Sequence, residues 1–113
     1  MDVTVFPGRL RGSVTPPSSK SQAHRLLIAA ALTHQGVSVI HGLTNSQDIQ
    51  ATLRCMRTLD ADASADGTVI RGADLVDGFE TPPPEIMDCG ESGSTLRFLI
   101  PVALALKGGG RFT

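Results

Sequence analysis

Apolar positions change their spacing several times along this chain, and each change marks an element. Val3-Thr4-Val5 alternates as a short strand does, ended after Phe6 by Pro7-Gly8, and a second strand is predicted over Leu10 to Val14. Leu26 to Leu32 is an unbroken apolar run of good helix formers apart from Ile28, which predicts a helix buried on every side. Gly36 stops it, and the β-branched alternation of Val37-Ser38-Val39-Ile40 predicts a strand. Ile49, Leu53, Met56 and Leu59 then recur about one turn apart on one face of a second helix. Ser46-Gln47-Asp48 caps that helix and puts an acid in its first turn. Residues 63–65 and 68–71 read as two strands around Asp66-Gly67, a strong hairpin signal. The predicted order is β, α, β, α, β, β.

The pattern then begins again. Gly72 to Pro84 is loop-rich, with Pro82-Pro83-Pro84 an extended connector, and Glu85 to Cys89 carries a weak strand signal. Phe98 to Leu106 is a second apolar helical run, in which Pro101 removes the hydrogen bond to the Arg97 carbonyl and predicts a kink. Gly108-Gly109-Gly110 ends it, and Arg111-Phe112-Thr113 looks like the start of a strand. Ser19-x-Ser21 with Arg25 before Leu26-Leu27-Ile28 is echoed by Ser92-x-Ser94 with Arg97 before Phe98-Leu99-Ile100, which suggests a second copy of the unit. The fold class is α/β.

Charge changes the picture at the mouth of the first helix. Ser18-Ser19-Lys20-Ser21-Gln22-Ala23-His24-Arg25 follows Pro16-Pro17, and Ser18, Ser19 or Ser21 can cap the first free amides. A helix N-terminus carries about half a positive charge, so Lys20 and Arg25 are misplaced there unless an anion sits beside them. Amides, hydroxyls, an ammonium and a guanidinium make a cradle for phosphate or carboxylate. The bland alternative is a capped core helix with two solvated cations. In the second helix Asp48 follows the dipole in the ordinary way, which sharpens the contrast.

Composition bounds the rest. At 113 residues the chain is at most one modest domain. A formal net charge of -1 and four aromatics, all Phe, argue against a nucleic-acid surface. No apolar run approaches the roughly 20 residues that span a bilayer, and Met1 to Val5 has no secretory pattern. Cys55 and Cys89 form no CxxC pair, and His24, His34 and His41 show no metal-ligand spacing. These features together suggest a cytoplasmic protein with reduced thiols. Cys55 reads as packing on its helix, and His24 as a helix-surface residue rather than a base.

Gly90-Glu91-Ser92-Gly93-Ser94-Thr95 invites a P-loop reading, which fails: GxxxxGK[ST] from Gly90 needs glycine at Thr95 and lysine at Leu96. Gly93, with no side chain, still allows a ligand close to backbone amides, and Arg97 offers a planar fork. Alone, the pair is equally a tight turn and a surface charge. Two such cradles in one chain imply a small polyanionic ligand.

Three ordered motifs, Ser19-Lys20-Ser21-x-x-x-Arg25, Asn45-Ser46-Gln47-Asp48 and Gly90-Glu91-Ser92-Gly93-Ser94-Thr95-Leu96-Arg97, resemble the N-terminal part of the 5-enolpyruvylshikimate-3-phosphate synthases over nearly the whole chain. The resemblance implies transfer of an enolpyruvyl group from phosphoenolpyruvate to the 5-hydroxyl of shikimate 3-phosphate, with release of phosphate and no metal or organic cofactor. It implies that Lys20 meets both substrates, that Ser21 and Arg25 hold shikimate 3-phosphate, and that Gly93 lines the phosphoenolpyruvate pocket, where glyphosate competes. Asp48 and Arg97 would support the site. The related UDP-N-acetylglucosamine enolpyruvyl transferases would carry asparagine where Ser21 stands, and a non-catalytic anion-binding module is the alternative of another class.

Glu91 departs from the family's frequent asparagine, Gln47 from the first of two aspartates, and Phe98 from proline. A carboxylate beside a phosphate site repels it unless paired, and Arg97 is the candidate partner. The family fold has two lobes, each of three βαβαββ units. By that pattern residues 1–15 are a strand segment of the opposite lobe, and residues 16–113 are part of the N-terminal lobe: one unit and the start of another. The resemblance further implies a monomeric parent enzyme. These 113 residues are expected not to turn over substrate alone, and to self-associate through exposed leucine-rich helix surface.

Overall fold

The computed structural model describes residues 1–73 and 85–113, so the proline connector at 82–84 lies outside the described residues. Among them the order is α1 (Lys20–Ala31), β1 (Val37–Val39), α2 (Gln47–Thr58), β2 (Asp62–Ala63), β3 (Val69–Arg71), β4 (Ile86–Met87), α3 (Gly93–Lys107) and β5 (Arg111–Phe112). The strands β1, β3 and β2 form an antiparallel sheet in that spatial order, with Ser38 opposite Ile70 and Ala63 on its other side. The strands β4 and β5 pair in parallel, Ile86 with Arg111 and Met87 with Phe112. With α3 as the crossover, they form a βαβ unit.

The hairpin turn is held by its own side chains. Asp66 Oδ1 accepts from the Thr68 amide at 2.9 Å and from the Ser64 hydroxyl at 2.7 Å. Those bonds draw the Asp66 carboxyl down to about 2 from its ordinary 3.8. Gly67 takes φ +74, where a side chain is strained, and an added Cβ would press on Leu43 and Leu53.

The middle helix, α2, organises the interior. Ile49, Leu53 and Met56 face a core shared with Ala23, Leu27 and Ala30 of α1 and with Ile70 of β3. Cys55 and Leu59 face a second core with Met87, Cys89, Leu99 and Ala103. One amphipathic helix therefore divides two clusters, and fully burying a leucine such as Leu53 contributes about 1.5–3 kcal/mol.

Several expectations need correction. Residues 3–5 and 10–14 form no strand, because a strand needs a ladder partner and these residues have none among the described ones; Val3, Val5, Leu10 and Val14 lie open to solvent. The first helix is not buried all round: Leu26 and Ala29 are exposed, because α2, α3 and the sheet cover only part of its circumference. In β1 the alternation holds with its sense reversed, since Val37 and Val39 are 57% and 55% exposed and Ser38 lies on the Ile70 side. No correction is needed at the last helix, where Pro101 sits inside α3 and Gly108, φ +68, caps its end as expected.

Candidate functional site

Each helix mouth begins with a serine in extended backbone. The hydroxyls of Ser19, Ser46 and Ser92 accept from the amides of Gln22, Ile49 and Thr95 at 3.4, 3.3 and 3.3 Å. Of the three possible caps for α1, then, Ser19 takes the role. Ser18 instead accepts from the Thr44 amide at 3.1 Å and donates to the Thr44 hydroxyl at 2.8 Å, tying the approach to α1 to the approach to α2.

Lys20 and Asp48 come together although 28 residues separate them: Nζ donates to Oδ2 at 3.0 Å. The cation misplaced on α1 is met by the first-turn acid of α2, so the chain itself supplies part of the anion that Lys20 calls for. Asp48 is thus both a helix-start acid and the ion-pair partner of Lys20. Four residues apart on α1, Ser21 and Arg25 share one exposed face, and among the described residues neither side chain is hydrogen-bonded or ion-paired. Their polar groups are presented to solvent, as anion receptors need.

Gly93 is the first residue of α3; it is exposed, and a Cβ added there would meet nothing within 4 Å. Arg97 lies one turn further on, also exposed, and the structure does not join it to Glu91. Glu91 instead lines a polar cleft of about 590 Å³ between the first turns of α2 and the Cys89–Ser92 loop, where Asp48 and Arg54 are the other charged groups. Arg54 in turn pairs with Asp88 at 3.5 Å. Among the described residues no three His, Cys, Asp or Glu side chains are close enough to share a metal ion.

Beneath the helix mouths lies a chain of buried polar groups. His24 Nδ1 is 2.7 Å from Thr52 Oγ1, Thr52 Oγ1 is 2.8 Å from Thr95 Oγ1, and Thr95 Oγ1 is 2.7 Å from the capping Ser92 Oγ. The Thr95 hydroxyl also lies 3.4 Å from the Asp48 carbonyl. The placement of His24 corrects its reading as a surface residue: it is 1% exposed, turned inward beside Leu27. Burial holds its pKa below the ordinary 6.5, the Lys20 charge acts in the same direction and Asp48 opposes them, so the imidazole is neutral. Sequence reasoning missed His24, Thr52, Ser92 and Thr95 as a group. The one available signal was Thr52, a hydroxyl set inside the apolar stripe of α2.

The two cysteines also meet. Their sulfurs are 3.9 Å apart, both thiols are free, and both are buried in the second core. Burial, with Cys89 beside it, pushes the Cys55 thiol from 9.0 up to about 12. Packing of Cys55 on its helix is as predicted.

Three serine-capped helices on a mixed helix and strand frame make an α/β domain. The chain belongs to the EPSP synthase (3-phosphoshikimate 1-carboxyvinyltransferase) family, whose model matches residues 6–112. It is 43% identical over 104 residues to the 3-phosphoshikimate 1-carboxyvinyltransferase of Clostridium perfringens (strain SM101 / Type A), covering 90% of this chain and 24% of that protein. It is 40% identical over 111 residues to the protein of the same name from Clostridium botulinum (strain Alaska E43 / Type E3), covering 96% and 25%. A third of that name, from Clostridioides difficile (strain 630), is 40% identical over 116 residues. The chain spans about a quarter of the length of the curated relatives it matches. Among the described residues no helix is long and apolar enough to cross a membrane.

Proposed function

We propose that this chain forms one wall of the active site of an enzyme that transfers the enolpyruvyl group of phosphoenolpyruvate to the 5-hydroxyl of shikimate 3-phosphate. The carrying observation is the Lys20 ammonium, 64% exposed at the junction of two helix mouths. Ser21 and Arg25 stand beside it on α1, and the mouth of α3 is tied to that of α2 through Thr95 and Asp48. Both substrates are anions, and free amides at helix starts attract anions.

In this reading the 5-hydroxyl oxygen bonds to C2 of phosphoenolpyruvate and gives up its proton to a general base while C3 takes a proton from a general acid, giving a tetrahedral adduct. Loss of phosphate from C2 and of a proton from C3 then yields 5-enolpyruvylshikimate 3-phosphate. Lys20 lies where both substrates meet and offsets the charge of the adduct; Asp48 holds the ammonium in place between turnovers. Arg25 presents its planar fork to the phosphate of shikimate 3-phosphate and Ser21 donates its hydroxyl. Gly93 leaves room for phosphoenolpyruvate, or for glyphosate, against the first amides of α3, and Arg97 supports that end of the site. The reading assigns no metal or organic cofactor.

At the level of fold it assigns residues 16–113 to part of an N-terminal lobe built on βαβαββ units, and residues 1–15 to a strand of the opposite lobe. It places a monomeric enzyme in the cytoplasm, with the 113 residues inactive alone. Calorimetric titration of shikimate 3-phosphate into the full-length protein tests it. Affinity should fall at least tenfold in Arg25→Ala and clearly in Ser21→Ala. Unchanged affinity in both would remove α1 from the site.

A further inference from the structure

The hydroxyl chain beneath the helix mouths stands one turn inside each of them. His24 is four residues after Lys20, Thr52 four after Asp48, and Thr95 three after the capping Ser92 and two after Gly93. Its members come from all three helices, and Thr52 touches both of the others, α1 through His24 and α3 through Thr95. On either side the interior is apolar, Leu27, Ile49 and Leu53 in one cluster and Ile28, Cys55 and Leu99 in the other. The core turns polar where three helix starts must be held in register.

Stability alone does not call for this arrangement. Exchanging both partners of a buried hydrogen bond for apolar groups of the same shape is close to neutral. A fully satisfied buried network instead rigidifies its surroundings and selects one packing. Here each linked hydroxyl has a partner, and among the described residues no buried side-chain nitrogen or oxygen lacks one. The Thr95 hydroxyl is the tightest node, with oxygens of Ser92, Thr52 and the Asp48 backbone at 2.7, 2.8 and 3.4 Å. As a β-branched residue Thr52 has few helical rotamers, so its hydroxyl has little freedom to wander.

We propose that Thr52 and Thr95 are positioning residues of the anion site: their hydroxyls lock the mouths of α1, α2 and α3 together, and so set the spacing of Lys20, Asp48 and Gly93. The proposal rests on the assignment of those residues to substrate binding. Neither threonine reaches substrate in this scheme; each acts through the helix start above it.

The test compares full-length Thr52→Val, Thr52→Ser and the triple variant His24→Leu, Thr52→Val, Thr95→Val, which removes the polar partners together and keeps the core filled. Misplacing a cradle by a fraction of an ångström predicts a loss of about tenfold in kcat/KM for Thr52→Val and for the triple variant, with recovery in Thr52→Ser. The triple variant must show this loss while melting close to the wild type, which a merely structural role does not allow. Values within about twofold of wild type in both valine variants overturn the proposal. Hydrogen exchange decides independently of turnover. Thr52→Val should speed exchange at the Ala23 and Leu96 amides, bonded to Ser19 and Ser92, relative to the Leu32 and Gly108 amides at the far ends of the same helices. Uniform change along both helices overturns the proposal too. A wild-type protein that turns over no substrate sinks the reaction assigned above, while the exchange result still decides the role of the threonines.

Discussion

Replacing Lys20 by methionine separates a surface ion pair from a working ammonium, because the two roles differ in size. The pair with Asp48 is short, 3.0 Å, but Lys20 is 64% exposed and Asp48 33% exposed. Such exposed pairs contribute about 0.2–1 kcal/mol. Part of that is returned, since the change also takes a cation off the N-terminus of α1 and leaves Asp48 in the favourable first turn of α2. The net loss of stability should be at most about 0.5 kcal/mol, a shift of no more than about 2 °C in Tm. If the ammonium stabilises the charge of the adduct, its loss should lower kcat by about 10²–10³-fold, equivalent to about 2.7–4 kcal/mol. Steady-state phosphate release and a thermal melt of full-length Lys20→Met settle the matter together. A kcat within about threefold of wild type refutes the role of Lys20, and a Tm lowered by more than about 5 °C refutes the claim that the pair is energetically minor.

Three further outcomes follow from the same geometry. The buried His24 is held neutral, its folded pKa below the unfolded 6.5. Below pH 6.5 the unfolded chain therefore binds a proton that the folded one refuses, so stability conferred by His24 is full above 6.5 and declines as pH falls toward the folded value. Denaturant midpoints between pH 5 and 8 should show this decline in wild type and a smaller one in His24→Asn; identical slopes would contradict the burial argument. For Gly93→Ala the fold should be unharmed, since the added Cβ meets nothing within 4 Å. Phosphoenolpyruvate and glyphosate affinity should nevertheless fall, and equal affinities would place the pocket elsewhere. Cys55, with its thiol at about 12, should resist alkylation at pH 8 until the protein is unfolded, and its contribution to stability should vanish as pH rises from about 9 toward 12. Rapid labelling of the native peptide carrying Cys55 would show that the second core opens.

Much of the candidate site was legible because its chemistry is local. Lys20 and Arg25 were singled out by charge of the wrong sign for a helix start and Ser21 by its hydroxyl and the family resemblance, and the structure places all three in the first turns of α1. What could not be read was the partner of each group. The anion sought for Lys20 lies partly within the chain, at Asp48, and Glu91 faces the Arg54 cleft rather than Arg97. Cys55 and Cys89, unremarkable 34 residues apart, meet at 3.9 Å because α2 and the segment after β4 share one core.

Starts and stops of elements are written in short stretches of the chain. Ser19, Ser46 and Ser92 cap helices, Gly108 ends one, and Asp66-Gly67 turns a hairpin, because each of these bonds or backbone angles involves residues only a few positions apart. Orientation came from the packing of distant segments. Val37 and Val39 alternate as predicted yet face solvent, and His24 reads as a surface residue yet is buried. The segments at 3–5 and 10–14 carry a strand pattern yet pair with nothing among the described residues. Period is a property of one segment, whereas burial and pairing belong to what another segment brings against it. His24 meets Thr52 across 28 positions and Thr52 meets Thr95 across 43, and no local pattern records those meetings.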